Sequence, residues 1–438
     1  MTFQCHAPTL SRAPWGHYVT IWNPADDGYA DLSRHDSFVN GAPHNTFSRM
    51  RADAPVTWCD YADGKGFWSI TRHTDVSKLL RDYKWMSSAQ GIRMEDQSYE
   101  EYLARRTFQE IDPPEHTVTR IRVSKAFTRP VIEQFDAGIR ELCNEILDRA
   151  LAMREFDAVQ EIARQLPMRM LGRIIGTPES DLDWLVRKGD ELISNTDPEY
   201  TQFVLDKADT EAYRFMPFRS PAGAELYDYA RRLMENKRRA GDRSGVLNLV
   251  LEPDENGKVI PENEFGNFFC LLVAAGNDTT RYSIAAALHA LCHRPALLEQ
   301  LRTGGTELWN TAPDEFIRWA SPAMHFRRTA SRDGELHGTT IREGDKVLLW
   351  FVSANRDAEA FANPFEVDVT RAPNRHVAFG QGGAHVCLGM WLARLEVRLL
   401  LQEFARRVHS IEQSGPHAFL RSNFVGGIKR LPVRVHTT

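Results

Sequence analysis

The feature that most constrains the chain is the run Phe379-Gly380-Gln381-Gly382-Gly383-Ala384-His385-Val386-Cys387-Leu388-Gly389, which leads through Met390 into Trp391-Leu392-Ala393-Arg394-Leu395-Glu396-Val397. Glycines loosen a loop that presents one cysteine, and a helix with an apolar stripe begins directly behind it. A thiolate at a helix N-terminus is stabilised by unpaired backbone N–H groups and by the positive end of the dipole. Gly383 and Gly389, lacking Cβ atoms, let the backbone approach a flat object closely. The arrangement suits a thiolate on the iron of a haem, where the sulfur pushes electron density toward O–O cleavage. A lone cysteine is more commonly a buried structural residue, so the argument rests on the whole pattern.

Composition limits the other classes. The 438 residues are 42% hydrophobic and 26% charged with a net charge of −5, which suits a globular protein with a sizeable core and supplies no basic field for nucleic acid. Cys5, Cys59, Cys143, Cys270, Cys292 and Cys387 show no paired spacing, so neither a disulfide framework nor a zinc site is indicated. Met1–Gly16 has no apolar signal region, and the longest apolar run, Phe268–Ala275, falls short of the roughly 20 residues that cross a bilayer. The expectation is a cytoplasmic protein without a membrane anchor.

Residues 1–45 read as an irregular lead-in. Gly66–Thr71 reads as a short strand followed by a helix from Asp75, and Val347–Val352 as a buried strand or a strand running into a helix. Apolar spacing predicts helices over Phe135–Met153, Glu161–Ile175 and Leu226–Arg239, while the polar, proline-punctuated Ser194–Ala224 suits a mobile lid. A long helix from Glu262 to about His293 is apolar nearly all round, so it should run through the core. In its middle, Gly276, Asn277, Asp278, Thr279 and Thr280 are costly to bury; a kink with mutually satisfied polar groups is one explanation and a functional site the other. The fold class is mainly α with small β-sheets.

Taken together, the cysteine run resembles the haem loop of the cytochrome P450 family, which reads Phe, two residues, Gly, three residues, Cys, one residue, Gly. Gly383, Cys387 and Gly389 match by spacing, and His385 stands two before the cysteine. Phe379 lies eight residues before Cys387 rather than the usual seven, so the loop carries one extra residue. The resemblance extends from about residue 67 to residue 430 and implies one domain over 1–438, with haem b held between the long helix and the cysteine loop. It implies Cys387 as the iron ligand, Thr279 hydrogen-bonding dioxygen, Asp278 relaying protons, and Gly276 permitting a widened turn that holds water. Glu315 and Arg318 match a structural Glu-x-x-Arg pair. For the haem propionates it implies His116 and Arg120 in Asp112-Pro113-Pro114-Glu115-His116-x-x-x-Arg120, together with Arg328 and His385; Arg327 and His376 are weaker candidates.

The reaction so implied is insertion of one atom of dioxygen into a C–H bond. In the absence of flavin or iron–sulfur patterns, electrons come from a separate ferredoxin and ferredoxin reductase. Arg122, Lys125 and Arg394 are candidate contacts for an acidic ferredoxin. Peroxide-driven oxygenation and a non-catalytic haem sensor are the alternatives, and the Asp278–Thr279 pair speaks against both. Expected pocket walls are Leu271, Ala274, Ala275, Ala323, Met324, Phe326, Phe424 and Val425. These point to an elongated aliphatic, terpenoid or steroid-like substrate oxidised near a chain end, with small aromatic acids binding poorly for want of a cation in the pocket.

Overall fold

The computed structural model describes residues 10–12, 18–20, 30–242, 245–251, 257 and 260–437; most of the lead-in before residue 30 lies outside them. Helices dominate. Those that position the site are α1 (His73–Arg81), α2 (Glu115–Ser124), α3 (Asp136–Met153), α4 (Gln165–Ile175), α5 (Leu182–Ile193), α6 (Pro221–Ala240), α7 (Glu262–His293), α8 (Ala312–Ala320) and α9 (Met390–Arg407). The strands that matter are β1 (Val56–Cys59), β2 (Phe67–Ile70), β3 (Met86–Ser87), β4 (Glu155–Asp157), β5 (His325–Ala330), β6 (Lys346–Trp350), β7 (Val408–Gln413) and β8 (Pro432–Thr437). They form a five-stranded sheet in the order β1-β2-β6-β5-β3 and a three-stranded sheet in the order β7-β8-β4.

Helix α7 is the axis of the molecule. Glu262 and Glu264 complement the dipole at its start, and most of its residues from Phe265 to Leu291 are buried. The main apolar cluster, which draws residues from Phe108 to Val435, packs around it. The helix is continuous through Gly276, so the widened turn expected there is not formed. Gly276 instead admits α4, since a Cβ on it would lie 2.6 Å from Leu171 Cδ2.

Strand period fixes which arginine reaches the centre. β6 runs parallel to β2 and antiparallel to β5, pairing Val347 with Arg328 and Leu348 with Arg327. Successive side chains therefore point to opposite faces. Arg327 turns to the Glu95 carbonyl and Asp96, and Arg328 turns inward.

Glu315 and Arg318 on α8 tie this helix to the segment before the cysteine loop, and both are fully buried. Arg318 bonds both Glu315 oxygens at 2.7 and 2.8 Å and also donates to the carbonyls of Asn355, Pro364 and Glu366. Arg371 and Asn374 complete the Glu315 carboxylate at 3.1 and 3.0 Å. Glu315→Ala strands the buried guanidinium, so the denaturation midpoint should fall by an amount equivalent to about 3–5 kcal/mol; a loss below about 1 kcal/mol, the ordinary worth of an exposed pair, would refute this anchoring role.

The segment expected as a lid is tethered at its base. Ser194, Asn195, Thr196 and Asp197 are buried, and Arg421 bonds the Thr196 carbonyl at 2.6 Å and both Asp206 oxygens at 2.9 and 2.7 Å.

Candidate active site

Cys387 precedes the first turn of α9 and opens onto a cavity lined also by Phe379, Gly389, Leu271, Ala275 and Thr279. Its N–H donates to the Phe379 carbonyl at 2.8 Å, which closes the loop across the extra residue. Glycines absorb that residue: Gly380 and Gly382 have φ of +63° and +93°, in the left-handed region. A Cβ on Gly383 would lie 2.1 Å from the Leu80 carbonyl oxygen of α1, so this glycine serves close packing of the loop rather than approach to a cofactor. Gly389 does line the cavity, and apart from the adjoining backbone no described protein atom lies within 4 Å of where its Cβ would stand.

The loop alone does not favour the thiolate. Burial raises the Cys387 pKa against the Gly389 N–H, Arg120 and Arg394. A metal ion bound to sulfur reverses this, since a coordinating thiol is deprotonated outright. Cys59, Cys143 and Cys270 are buried and Cys292 is half-buried; burial pushes all four thiols up, and none lines this cavity.

Across from Cys387, α7 presents Leu271, Ala275 and Thr279 on one face. Thr279 Oγ1 donates to the Ala275 carbonyl at 3.1 Å. Asp278 turns the other way and is fully buried, bonded to Arg281 at 2.7 Å, Ser194 at 3.2 Å and Tyr282 at 3.4 Å. Arg281 also bonds Asp190 of α5 at 2.5 Å, and Arg164 bonds the same carboxylate at 2.6 Å. The structure thus does not bring the Asp278 carboxylate to the cavity; it ends a chain of alternating charges that reaches the partly exposed Arg164. Burial raises the Asp278 pKa, with Arg281 opposing.

The four residues expected around the propionates come together. Arg120, Arg328 and His385 line the cavity of Cys387, and the His116 ring lies 4.3 Å from that of His385. Neither arginine forms an ion pair with a carboxylate among the described residues. Burial pulls the Arg328 pKa down to about 10, with Asp112 opposing, and the His116 pKa down to about 4. His116 Nε2 and both ring nitrogens of His385 are buried without hydrogen-bond partners. Unpaired donors and cations beside an apolar slot with a sulfur on one face fit a flat macrocycle bearing two carboxylates. His376 stays outside this set, bonded to Asp314 at 3.0 Å.

A second cavity of about 600 Å³ continues from the first, sharing Leu271, Ala275, Thr279, Ala323 and Phe326 with it. Ala274, Phe424 and Val425 complete its apolar wall as expected from the sequence. Met324 does not line it: next to Ala323, it faces the opposite way, into the cluster of Phe38, Phe47 and Trp350. The expectation of a pocket without cations is also overturned, because Arg93, Arg105 and Arg219 line the outer part. Arg394 is no open docking charge, since it bonds Asp314 at 2.8 Å and lies 5.0 Å from the centres of the Phe379 and Trp391 rings.

A cysteine facing a long helix across a slot rimmed by unpaired cations defines a haem-thiolate protein. The chain matches the Cytochrome P450 family profile over residues 37–410 and belongs to that family. It is 36% identical to cytochrome P450 126 of Mycobacterium tuberculosis over 92% of this chain and 97% of the relative. It is 34% identical to the methyl-branched lipid omega-hydroxylase of Mycobacterium tuberculosis, covering 88% of this chain and 90% of the relative. Among solved structures, a Mycobacterium marinum cytochrome P450 in complex with pseudoionone superposes with a TM-score of 0.80 at 33% identity, covering 89% of this chain and 94% of that one. The protein is a cytochrome P450 monooxygenase and its cofactor is haem b. No helix among the described residues is long and apolar enough to cross a membrane.

Proposed function

We propose that this cytoplasmic P450, one catalytic unit from end to end, hydroxylates an elongated aliphatic, terpenoid or steroid-like molecule near a chain end, with electrons from a ferredoxin and its reductase. The observation that carries this reading is the continuous cavity that joins Cys387 and Thr279 to the wall of Ala274, Phe326, Phe424 and Val425. Burial of apolar surface there stabilises a ligand at about 25 cal/mol per Å². The relatives named as a methyl-branched lipid omega-hydroxylase and a steroid C26-monooxygenase support a chain-end position.

In this reading Cys387 ligates the iron, while Arg120, Arg328, His116 and His385 hold the propionates. Haem b supplies, when bound, the redox chemistry by which dioxygen is reduced and cleaved. Thr279 holds a hydroxyl proton at the cavity wall, where apolar neighbours keep bulk water away. Asp278, its pKa raised by burial, is the carboxyl behind the helix that takes up and gives up a proton, while the permanently charged Arg281 and Arg164 hold it and Asp190 in place.

The electron donor docks, in our reading, on α2 beside the sulfur. Val118 and Ile121 are 56% and 57% exposed there, and Lys125 follows them as an exposed cation. An apolar centre with a basic rim suits an acidic partner. Reversal of Arg122 and Lys125 to glutamate should slow reduction by ferredoxin about tenfold or more at low salt, with the difference shrinking as ionic strength rises. Stopped-flow reduction rates that match the parent at low salt would remove this face as the docking site.

A further inference from the structure

We propose that the substrate is an amphiphilic acid, its hydrocarbon end at Thr279 and its carboxylate held by Arg93, Arg105 and Arg219 at the outer end of the cavity. This rests on the monooxygenase reading above and adds the chemical class of the ligand. Three guanidinium groups line one cavity wall, and each is imperfectly satisfied by the protein. Arg105 is half-buried and bonds only the neutral Gln97 side chain, at 2.7 Å, with no ion pair among the described residues. Arg93 lies 5.4 and 5.1 Å from the centres of the Phe218 and Phe424 rings, and it pairs with Glu95 through long contacts of 3.3 Å from Nε and 3.4 Å from Nη2. Arg219 reaches Glu101 and Glu211 only at 3.5 Å. The Nε atoms of Arg93 and Arg219 are buried without hydrogen-bond partners.

Glu95 on the same wall pairs with Arg93, and several of the other acids there are drawn to other partners. Asp96 is engaged by Lys346 at 2.8 Å, Asp206 by Arg421 at 2.7 Å, and Glu110 accepts the Thr107 N–H at 3.1 Å. Arg105 lies near charges of both signs: burial lowers its pKa most, Glu101 and Glu110 raise it, and Arg219 and Arg93 lower it again. Half-buried cations that repel one another are stabilised by an anion placed among them, and guanidinium forks match the two oxygens of a carboxylate. The other end of the cavity, at Ala275, Ala323 and Phe326, offers such a head group nothing and an alkyl chain or ring system an apolar wall.

The test uses the haem-loaded enzyme and three probes that share one chain: dodecanoic acid, methyl dodecanoate and dodecanol, each titrated optically against the ferric protein. The acid should bind at least tenfold more tightly than the ester or the alcohol. Arg105→Gln should lower the ratio of acid to ester affinity about tenfold, and Arg105→Lys should retain much of it. Equal affinities in the parent, or an unchanged ratio in Arg105→Gln, would overturn the proposal while leaving chain hydroxylation intact. A spectrum unmoved by all three probes, in protein that still shows its thiolate signature, would remove the chain-like substrate itself and this inference with it.

Discussion

Cys387→Ser is expected to abolish the red-shifted Soret band of the reduced carbon monoxide complex. The band reports electron donation from sulfur, and serine offers only a neutral hydroxyl, with no comparable donation at neutral pH. Among the described residues the other cysteines lie away from the cavity: Cys59, Cys143 and Cys270 are enclosed in the core and Cys292 is half-buried, so serine variants at these positions should keep the band. Survival of the band in Cys387→Ser, or its loss in Cys292→Ser, would move the iron ligand elsewhere.

Thr279→Ala should leave haem content and ligand affinity near the parent values yet divert most of the reducing equivalents into hydrogen peroxide. Of the hydroxyl residues that α7 lends the Cys387 cavity, Thr279, Thr280 and Ser283, only Thr279 also lines the adjoining outer cavity, and its loss leaves proton delivery to unordered water. General acid–base groups contribute about 10²–10⁴-fold, so product formation per NAD(P)H should fall at least tenfold. Asp278→Asn should behave differently, slowing NAD(P)H consumption itself, because the lost group stores the proton rather than directing it. Unchanged coupling in Thr279→Ala would end its proposed role.

Much of this site is written in local spacing. The glycine–cysteine run, the ends of α7, and the His116–Arg120 pair one helical turn apart are all short-range patterns, and the structure places them around one cavity. Neighbours on a helix differ in direction by about 100°, so Asp278 and Thr279 cannot both face the cavity, and the buried Asp278 is the one turned away. The same reasoning at period two removes Met324 from the pocket wall once Ala323 lines it. The rest depends on long-range packing. Asp190 meets Arg281 only because α5 crosses α7, and Arg93, Arg105 and Arg219 come from three segments far apart in sequence that packing alone brings to one cavity. Arg281, three residues after Asp278, was the one signal for the buried charge chain available in the sequence.

Isotopic accounting tests the central claim, monooxygenation at Cys387-bound haem, most directly. A substrate identified by its effect on the ferric spectrum is turned over with NAD(P)H, ferredoxin and reductase under oxygen-18 gas. The account predicts one labelled oxygen atom in each hydroxylated product, about one NAD(P)H consumed per product, and loss of both in Cys387→Ser. Product carrying only unlabelled oxygen, or formed equally fast from hydrogen peroxide without the electron donors, would contradict it.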